Sequence, residues 1–353
     1  MLRKVLFFLL FFASWSNGQE IAIRAGNLID PATGAVAKNQ IVLIKNGKIV
    51  EVGPRVQVPQ TARNIDLSNA WVMPGLMDAH VHLTFGQAPA DSGFGLMQPY
   101  LTESSGFRAL RGMANAQAVL QAGFTTVKDI GNDANYAAID VRRAIERNWF
   151  MGPTMLTTGK IIAAFGGQSQ NITPEQGPFW QFEYLDADTP DEIRKAVRRN
   201  IYYGANAIKL MKEKGTVLVG TDFPKEHLEA IKFNQAVDGK TFADRIIDRL
   251  SRAHKLGVKM AFGTDIFFDL PNKTRGTMAW DYLDVWVAAG IPAPQILKCM
   301  TTNAAELFQI QKQRGAIAAG LAADIIAAPE NPLDNIQALR KVSFVMKDGK
   351  TVK

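Results

Sequence analysis

The 353-residue sequence holds a single cysteine, Cys299, and only four histidines. One cysteine excludes an intrachain disulfide framework and a cysteine-based zinc module. Four histidines leave few positions from which an imidazole site can be built. No lysine- and arginine-rich block with interleaved aromatics occurs, and the net charge is a mild +7, so a nucleic-acid partner is not expected. Beyond the N-terminus no stretch approaches the roughly 18 apolar residues of a membrane span. What the chain does have is a composition 47% hydrophobic and 21% charged, enough for a large core and too apolar for disorder.

Arg3 and Lys4 precede an apolar run, Val5 to Phe12, and the small residues Ser16 and Gly18 follow. This is the order of a secretory signal peptide, expected over 1–18, and implies a secreted or periplasmic protein with no membrane span after its removal. Both ends of the remaining chain are β-rich. Ile41–Ile44 and Lys48–Val52 flank Asn46-Gly47, and Phe344–Lys347 and Lys350–Val352 flank Asp348-Gly349. These pairs support φ > 0 at both turn positions and predict hairpins. With Ile21–Ile23 and Ala323–Ile326, they predict a small β-sandwich domain built from 19–73 and 312–353.

Residues 74–311 alternate strand and helix, as in an α/β chain with a parallel sheet and helices outside. The strand candidates are Val72–His82, Thr125–Ile130, Thr154–Thr158, Ala207–Met211, Thr216–Gly220 and Val258–Asp265. Thr189-Pro190-Asp191-Glu192 reads as a helix start, with Ile193, Val197 and Ile201 on one face. Phe242, Ile246, Leu250 and Ala253 form the inner stripe of another helix, ended by Gly257. The expected fold is a (β/α) TIM-type barrel, but a closed one has eight strands and only six are identifiable. Long loops are expected at 83–106 and 159–188.

The strongest chemical signal is Asp78-Ala79-His80-Val81-His82 after Pro74-Gly75. Alternate strand residues share a face, so both imidazoles meet at the strand's C-terminal end, where barrel active sites lie. Two neutral imidazoles at this spacing can bind one divalent ion, zinc foremost. Lys209, in Ala207-Ile208-Lys209, points into the barrel, where it either snorkels to the mouth or loses its charge by desolvation. Asp265 ends an apolar strand, where a carboxylate is costly unless paired, bound to metal or capping the strand end.

Val72–His82 with the preceding hairpin resembles the opening of the metal-dependent amidohydrolase superfamily, in particular its imidazolonepropionase-like and prolidase-like members. Gly26–Pro31 is similar to that family's first turn, and Gly320–Ile325 with Asn331-Pro332-Leu333 to its closing β segment. The resemblance implies a carbamate on Lys209 as a metal ligand. It also implies Asp265 as ligand and general base, serving a metal-activated water that attacks an amide and then protonating the leaving amine. Two further histidine ligands of the family are not identifiable. After Lys209 the text resembles the start of the family's seventh strand, as if two βα units were absent. His80, His82, Lys209 and Asp265 would then form one complete site, with at most one tightly held ion.

Asp222, in Val219-Gly220-Thr221-Asp222, reads as a second ligand, a substrate contact or a helix cap before Pro224, the cap being favoured. Gln168 is a substrate contact or an ordinary loop residue. His227 is expected on an exposed polar helix start, and His254 on a helix flank at the barrel's other end. The expected activity is hydrolysis of a C–N bond in an amide, dipeptide-like or cyclic amide small molecule. The alternatives are a catalytically impaired relative and a sequence lacking an internal segment. A homo-oligomer is compatible with the sequence.

Overall fold

The computed structural model describes residues 20–86, 102–131, 135–165, 173–176, 181–209 and 218–353. The first strands are β1 (Glu20–Asp30), β2 (Ala35–Lys45), β3 (Lys48–Gly53), β4 (Arg63–Pro74) and β5 (Leu76–Val81). Helix α1 (Ser105–Gln121), β6 (Phe124–Asp129), α2 (Ala137–Glu146), β7 (Thr154–Thr157), β8 (Ile161–Ala163) and β9 (Tyr184–Asp186) follow. Next come α3 (Pro190–Tyr203), β10 (Leu218–Val219), α4 (Lys225–Ala230), β11 (Ala236–Val237), β12 (Lys240–Thr241), α5 (Phe242–Lys255) and β13 (Met260–Ala261). The chain closes with α6 (Arg275–Ala288), α7 (Ala293–Cys299), α8 (Thr302–Leu307), β14 (Ile325–Ala328), β15 (Phe344–Lys347) and β16 (Lys350–Thr351).

Both chain ends enter one seven-stranded sheet, ordered β16-β15-β14-β4-β1-β2-β3. Both expected hairpins form. Asn46 and Gly47 (φ 52° and 76°) join β2 to β3, and Asp348 and Gly349 (φ 47° and 74°) join β15 to β16. The sandwich expectation meets a single hydrogen-bonded sheet here, with no second sheet from the chain ends among the described residues. Period-2 alternation divides its apolar side chains between two cores. Ile21, Ile23, Val42, Ile44, Ile325 and Met346 pack on one another, while Ile326 and Val345 join the larger core against the helices.

Gly75 divides the expected Val72–His82 strand. Its N–H donates to Asp324 O, and β4 stays with the chain-end sheet while β5 starts the parallel one. Strands β5, β6 and β7 are parallel neighbours, as are β10 and β13. Ala79 N donates to Phe262 O (2.8 Å) and Asp265 N to His80 O (2.7 Å), which places β13 beside β5. Asn206 and Ala207 donate to Thr157 O beyond β7. The succession is therefore β10-β13-β5-β6-β7 and then 206–207, and the described residues show no closed barrel.

Several elements differ from expectation. Val258–Asp265 contributes only Met260–Ala261 as strand, and the chain turns at Asp265, whose φ of 54° is left-handed. Residues 207–209 carry no strand assignment, and Thr216–Gly220 is represented by Leu218–Val219. The loop expected at 159–188 holds the parallel pair β8–β9, whose three-residue strands are too short to show a period. Helix α3 has the expected Thr189–Glu192 capping box, yet Ile201 is exposed and Ala196 and Asn200 are buried. Asn200 is accommodated because its amide donates to Lys160 O (2.8 Å) and accepts from Tyr136 Oη (3.1 Å). Helix α5 buries Ile246, Leu250 and Ala253 as expected.

Phe262 is fully buried between Phe124, Tyr282 and Trp286, with ring centroids 6.1, 6.4 and 5.8 Å away. Removing it opens a cavity that rigid aromatic neighbours cannot collapse to fill. Phe262→Ala is expected to cost about 3–5 kcal/mol in urea unfolding, and a loss under about 1 kcal/mol would contradict this packing.

Candidate metal centre

Strand β5 and the turn after β13 bring three ligand atoms together. His80 Nε2 lies 3.2 Å from His82 Nε2. Asp265 Oδ1 lies 3.0 Å from the first and 3.1 Å from the second. Among the described residues these three side chains form the one group of histidine, cysteine or acidic ligands able to share an ion. Close backbone approach makes the convergence possible. A Cβ on Gly263 would meet Val219 Cγ1 at 2.7 Å and His80 Cβ at 3.0 Å, so only glycine lets β13 come this near.

A second ring of contacts sets the orientation. Gly131 O lies 2.7 Å from His82 Nδ1, so that nitrogen carries the proton and the Nε2 lone pair faces the centre. Asp129 Oδ2 accepts from Leu83 N (2.9 Å), fixing the chain just beyond His82. Asp78 was expected on the shared imidazole face. Its Oδ1 instead accepts from the His80 and Thr264 N–H groups (3.0 and 3.1 Å), stapling β5 to the turn that carries Asp265. Register shifts in β5 between Asp78 and Val81 break strict alternation. The structural roles of Asp78 and Asp129 were missed, although Asp78 follows the apolar Leu76 and Met77, and Asp129 ends a strand as Asp265 was expected to.

Burial lowers the His80 imidazole to about 4, with Asp265 opposing, so His80 is neutral near pH 7 and available as a ligand. Burial opposes ionisation of Asp265, but the adjoining imidazoles outweigh it and hold its carboxyl far below the usual range. Burial raises Asp78 to about 7 against its hydrogen bonds. Lys209 is lowered by burial, with Asp265, Glu183 and Asp129 pulling the other way, so its amine lies within the field of the same cluster. Its carbonyl accepts from Ile162 N (3.1 Å). A divalent ion fits these residues. Tetrahedral ligands about 2.0–2.1 Å from zinc stand roughly 3.3 Å apart, close to the spacings seen here, and the donor set of two imidazoles and one carboxylate suits it.

The other singled-out residues are elsewhere. Gln168 lies outside the described residues. Asp222 does not cap α4, whose N-cap is Pro224 without a side-chain bond. It is fully buried and pairs with Arg249 Nη2 at 2.7 Å, because an uncompensated carboxylate is untenable there. His227 is buried rather than exposed. Asp281 reaches its Nε2 (2.9 Å), and the Phe268 and Tyr282 rings pack edge-on against it. His254 is half-buried in the last turn of α5, on the helix flank where it was expected.

Burial raises the Asp222 carboxyl to about 6, against the pull of Arg249, from an ordinary value of 3.8. Between those values the folded chain holds a proton that the unfolded chain has released, so this group makes stability fall as pH rises from about 4 to 6. Asp222→Asn is expected to flatten that fall by up to one proton, measured by urea unfolding across the interval. An unchanged slope would contradict the assignment.

A model of the amidohydrolase family matches residues 71–232 and 206–352. Dihydroorotase of Anaeromyxobacter sp. (strain K) is 49% identical over 61 residues, 17% of this chain and 14% of that protein, so the chain matches only a small part of that relative. Ochratoxinase of Aspergillus niger is 24% identical over 441 residues, covering 98% of this chain and 89% of that protein. A solved Xaa-Pro dipeptidase with bound methionine in its active site is similar with a TM-score of 0.74 at 24% identity, covering 94% of this chain and 99% of that one. Molinate hydrolase is similar with a TM-score of 0.75 at 20% identity, covering 95% of each chain. These structures share the α/β TIM-barrel-like fold. With its family model matched along most of its length, the chain belongs to the amidohydrolase family.

Proposed function

We propose that the chain is a metal-dependent amidohydrolase that holds one divalent ion, zinc foremost, on His80, His82 and Asp265, with Lys209 as the fourth ligand. The observation that carries this reading is the triangle of ligand atoms 3.0–3.2 Å on a side, with the His82 tautomer set by Gly131 O. Desolvation keeps the Lys209 amine prone to lose its proton, and a neutral amine adds CO₂ with release of one proton to give a carbamate anion. An ion bound by these residues would supply polarisation of the scissile carbonyl and acidification of a water to a pKa of about 7. Asp265, whose carboxyl is held below its usual range, would serve as the base that takes a proton from the attacking water and delivers it to the leaving amine. The substrate is a dipeptide-like or N-acyl small molecule, a class suggested by the Xaa-Pro dipeptidase among the similar structures.

Residues 1–18 act as a secretory leader in this reading, leading to a secreted or periplasmic protein. The chain ends, 19–73 and 312–353, form a β-domain beside the hydrolase barrel of 74–311. The 441-residue span aligned with ochratoxinase exceeds the 353 residues of this chain, so parts of that relative have no counterpart here, in keeping with a reading in which two βα units are absent after Lys209. A second reading, an impaired relative, is favoured by the histidine count. His227 is engaged by Asp281 and His254 sits on α5, leaving no further imidazole at the centre among the described residues.

Metal analysis and hydrolysis assays on Xaa-Pro dipeptides and N-acyl amino acids, with zinc or manganese, separate the readings. One ion per chain is expected, with turnover that falls roughly 10²–10⁴-fold in Asp265→Asn. Two stoichiometric ions would contradict the single site. One ion bound without single-turnover hydrolysis would favour the impaired relative.

A further inference from the structure

We propose that Arg275 is the positioning residue that fixes the His82 and Asp265 loops relative to each other. The proposal rests on the reading of these residues as a metal centre. Arg275 is the first residue of α6 and is 3% exposed. Its guanidinium reaches three acceptors. Nη2 donates to Phe85 O (2.8 Å), Nη1 to Ile266 O, and Nε to Asp269 Oδ1 (3.0 Å). Phe85 lies three residues beyond His82, and Ile266 directly follows Asp265. One planar group with a fixed fork of donors therefore spans the loops leaving β5 and β13.

Two independent features show that this contact has structural consequence. Asp265 holds φ at 54°, a left-handed conformation uncommon outside glycine, which persists where its surroundings hold it. Its own N–H is bound by His80 O, and the next carbonyl is bound by Arg275, so the strained residue is clamped on both sides. The position of Arg275 is also unfavourable for a helix, whose N-terminus carries partial positive charge. A cation there, desolvated, is explained by the loop carbonyls it binds, with Asp269 balancing its charge. Gly86 closes the arrangement. A Cβ there would lie 2.7 Å from Asp269 Oδ2 and 2.8 Å from the Nε of Arg111 on α1, so the loop after β5 packs directly on the carboxylate that pairs with Arg275.

The test compares the full chain with Arg275→Met, Arg275→Lys and Asp269→Asn by hydrogen exchange without added metal and by cobalt(II) titration followed by visible absorption. In Arg275→Met, exchange is expected to accelerate in 80–86 and 262–270 while β1–β4 and α5 keep wild-type protection. Cobalt affinity is expected to fall about 10–100-fold with an altered ligand-field spectrum. Arg275→Lys, which cannot reach all three acceptors, falls between. Wild-type protection in both segments, or uniform acceleration across the chain, would overturn the proposal. If Arg275→Met does not fold, Arg275→Lys and Asp269→Asn carry the same comparison, with selective loosening expected and its absence overturning the role. A wild-type chain that binds no cobalt, with loops still loosened selectively in the variants, would refute the metal reading and leave the positioning role standing.

Discussion

Two imidazole nitrogens and a carboxylate oxygen, each within 3.2 Å of the others, are a costly arrangement in a largely buried site. Lone pairs facing one another repel, and the low-dielectric surroundings magnify the repulsion. Either a proton or a cation must lie between them. The proton of His82 is committed to Gly131 and burial disfavours a cationic His80, so a proton on His80 Nε2 relieves part of this repulsion, and a divalent ion, as proposed above, would satisfy all three atoms. The remainder of the structure holds this triangle in place.

That support comes in layers. Gly263 allows β13 to approach His80 closely, and Asp78 ties the backbone of β5 to the turn at Thr264. Asp129 fixes the chain beyond His82, and Arg275 joins the two loops from outside. The aromatic packing around Phe262 lies immediately before the Gly263-Thr264-Asp265 turn, so core rigidity is transmitted along one short segment to the Asp265 carboxylate.

The convergence of His80 and His82 was legible because His-x-His at a strand end encodes geometry in two residues, and that of Asp265 because a carboxylate closing an apolar strand requires a partner. The hairpins were legible for a similar reason, since Asn-Gly and Asp-Gly report a backbone conformation directly. Other features depend on partners distant in sequence. His227 looked exposed among Pro224, Lys225 and Glu226, but its burial is decided by Asp281 and Tyr282, more than fifty residues away. Asp222 carried a helix-cap pattern that Arg249 overrides. Arg275 gave no local signal, because its acceptors are carbonyls, and every residue has one.

Crystals grown with zinc, measured for anomalous scattering at the zinc edge, test the central claim most directly. The account predicts one peak per chain, about 2.0–2.2 Å from His80 Nε2, His82 Nε2 and Asp265 Oδ1, with density extending from Lys209 Nζ towards it. A chain with no peak inside this triangle, or with its strongest peak on other residues, would contradict it.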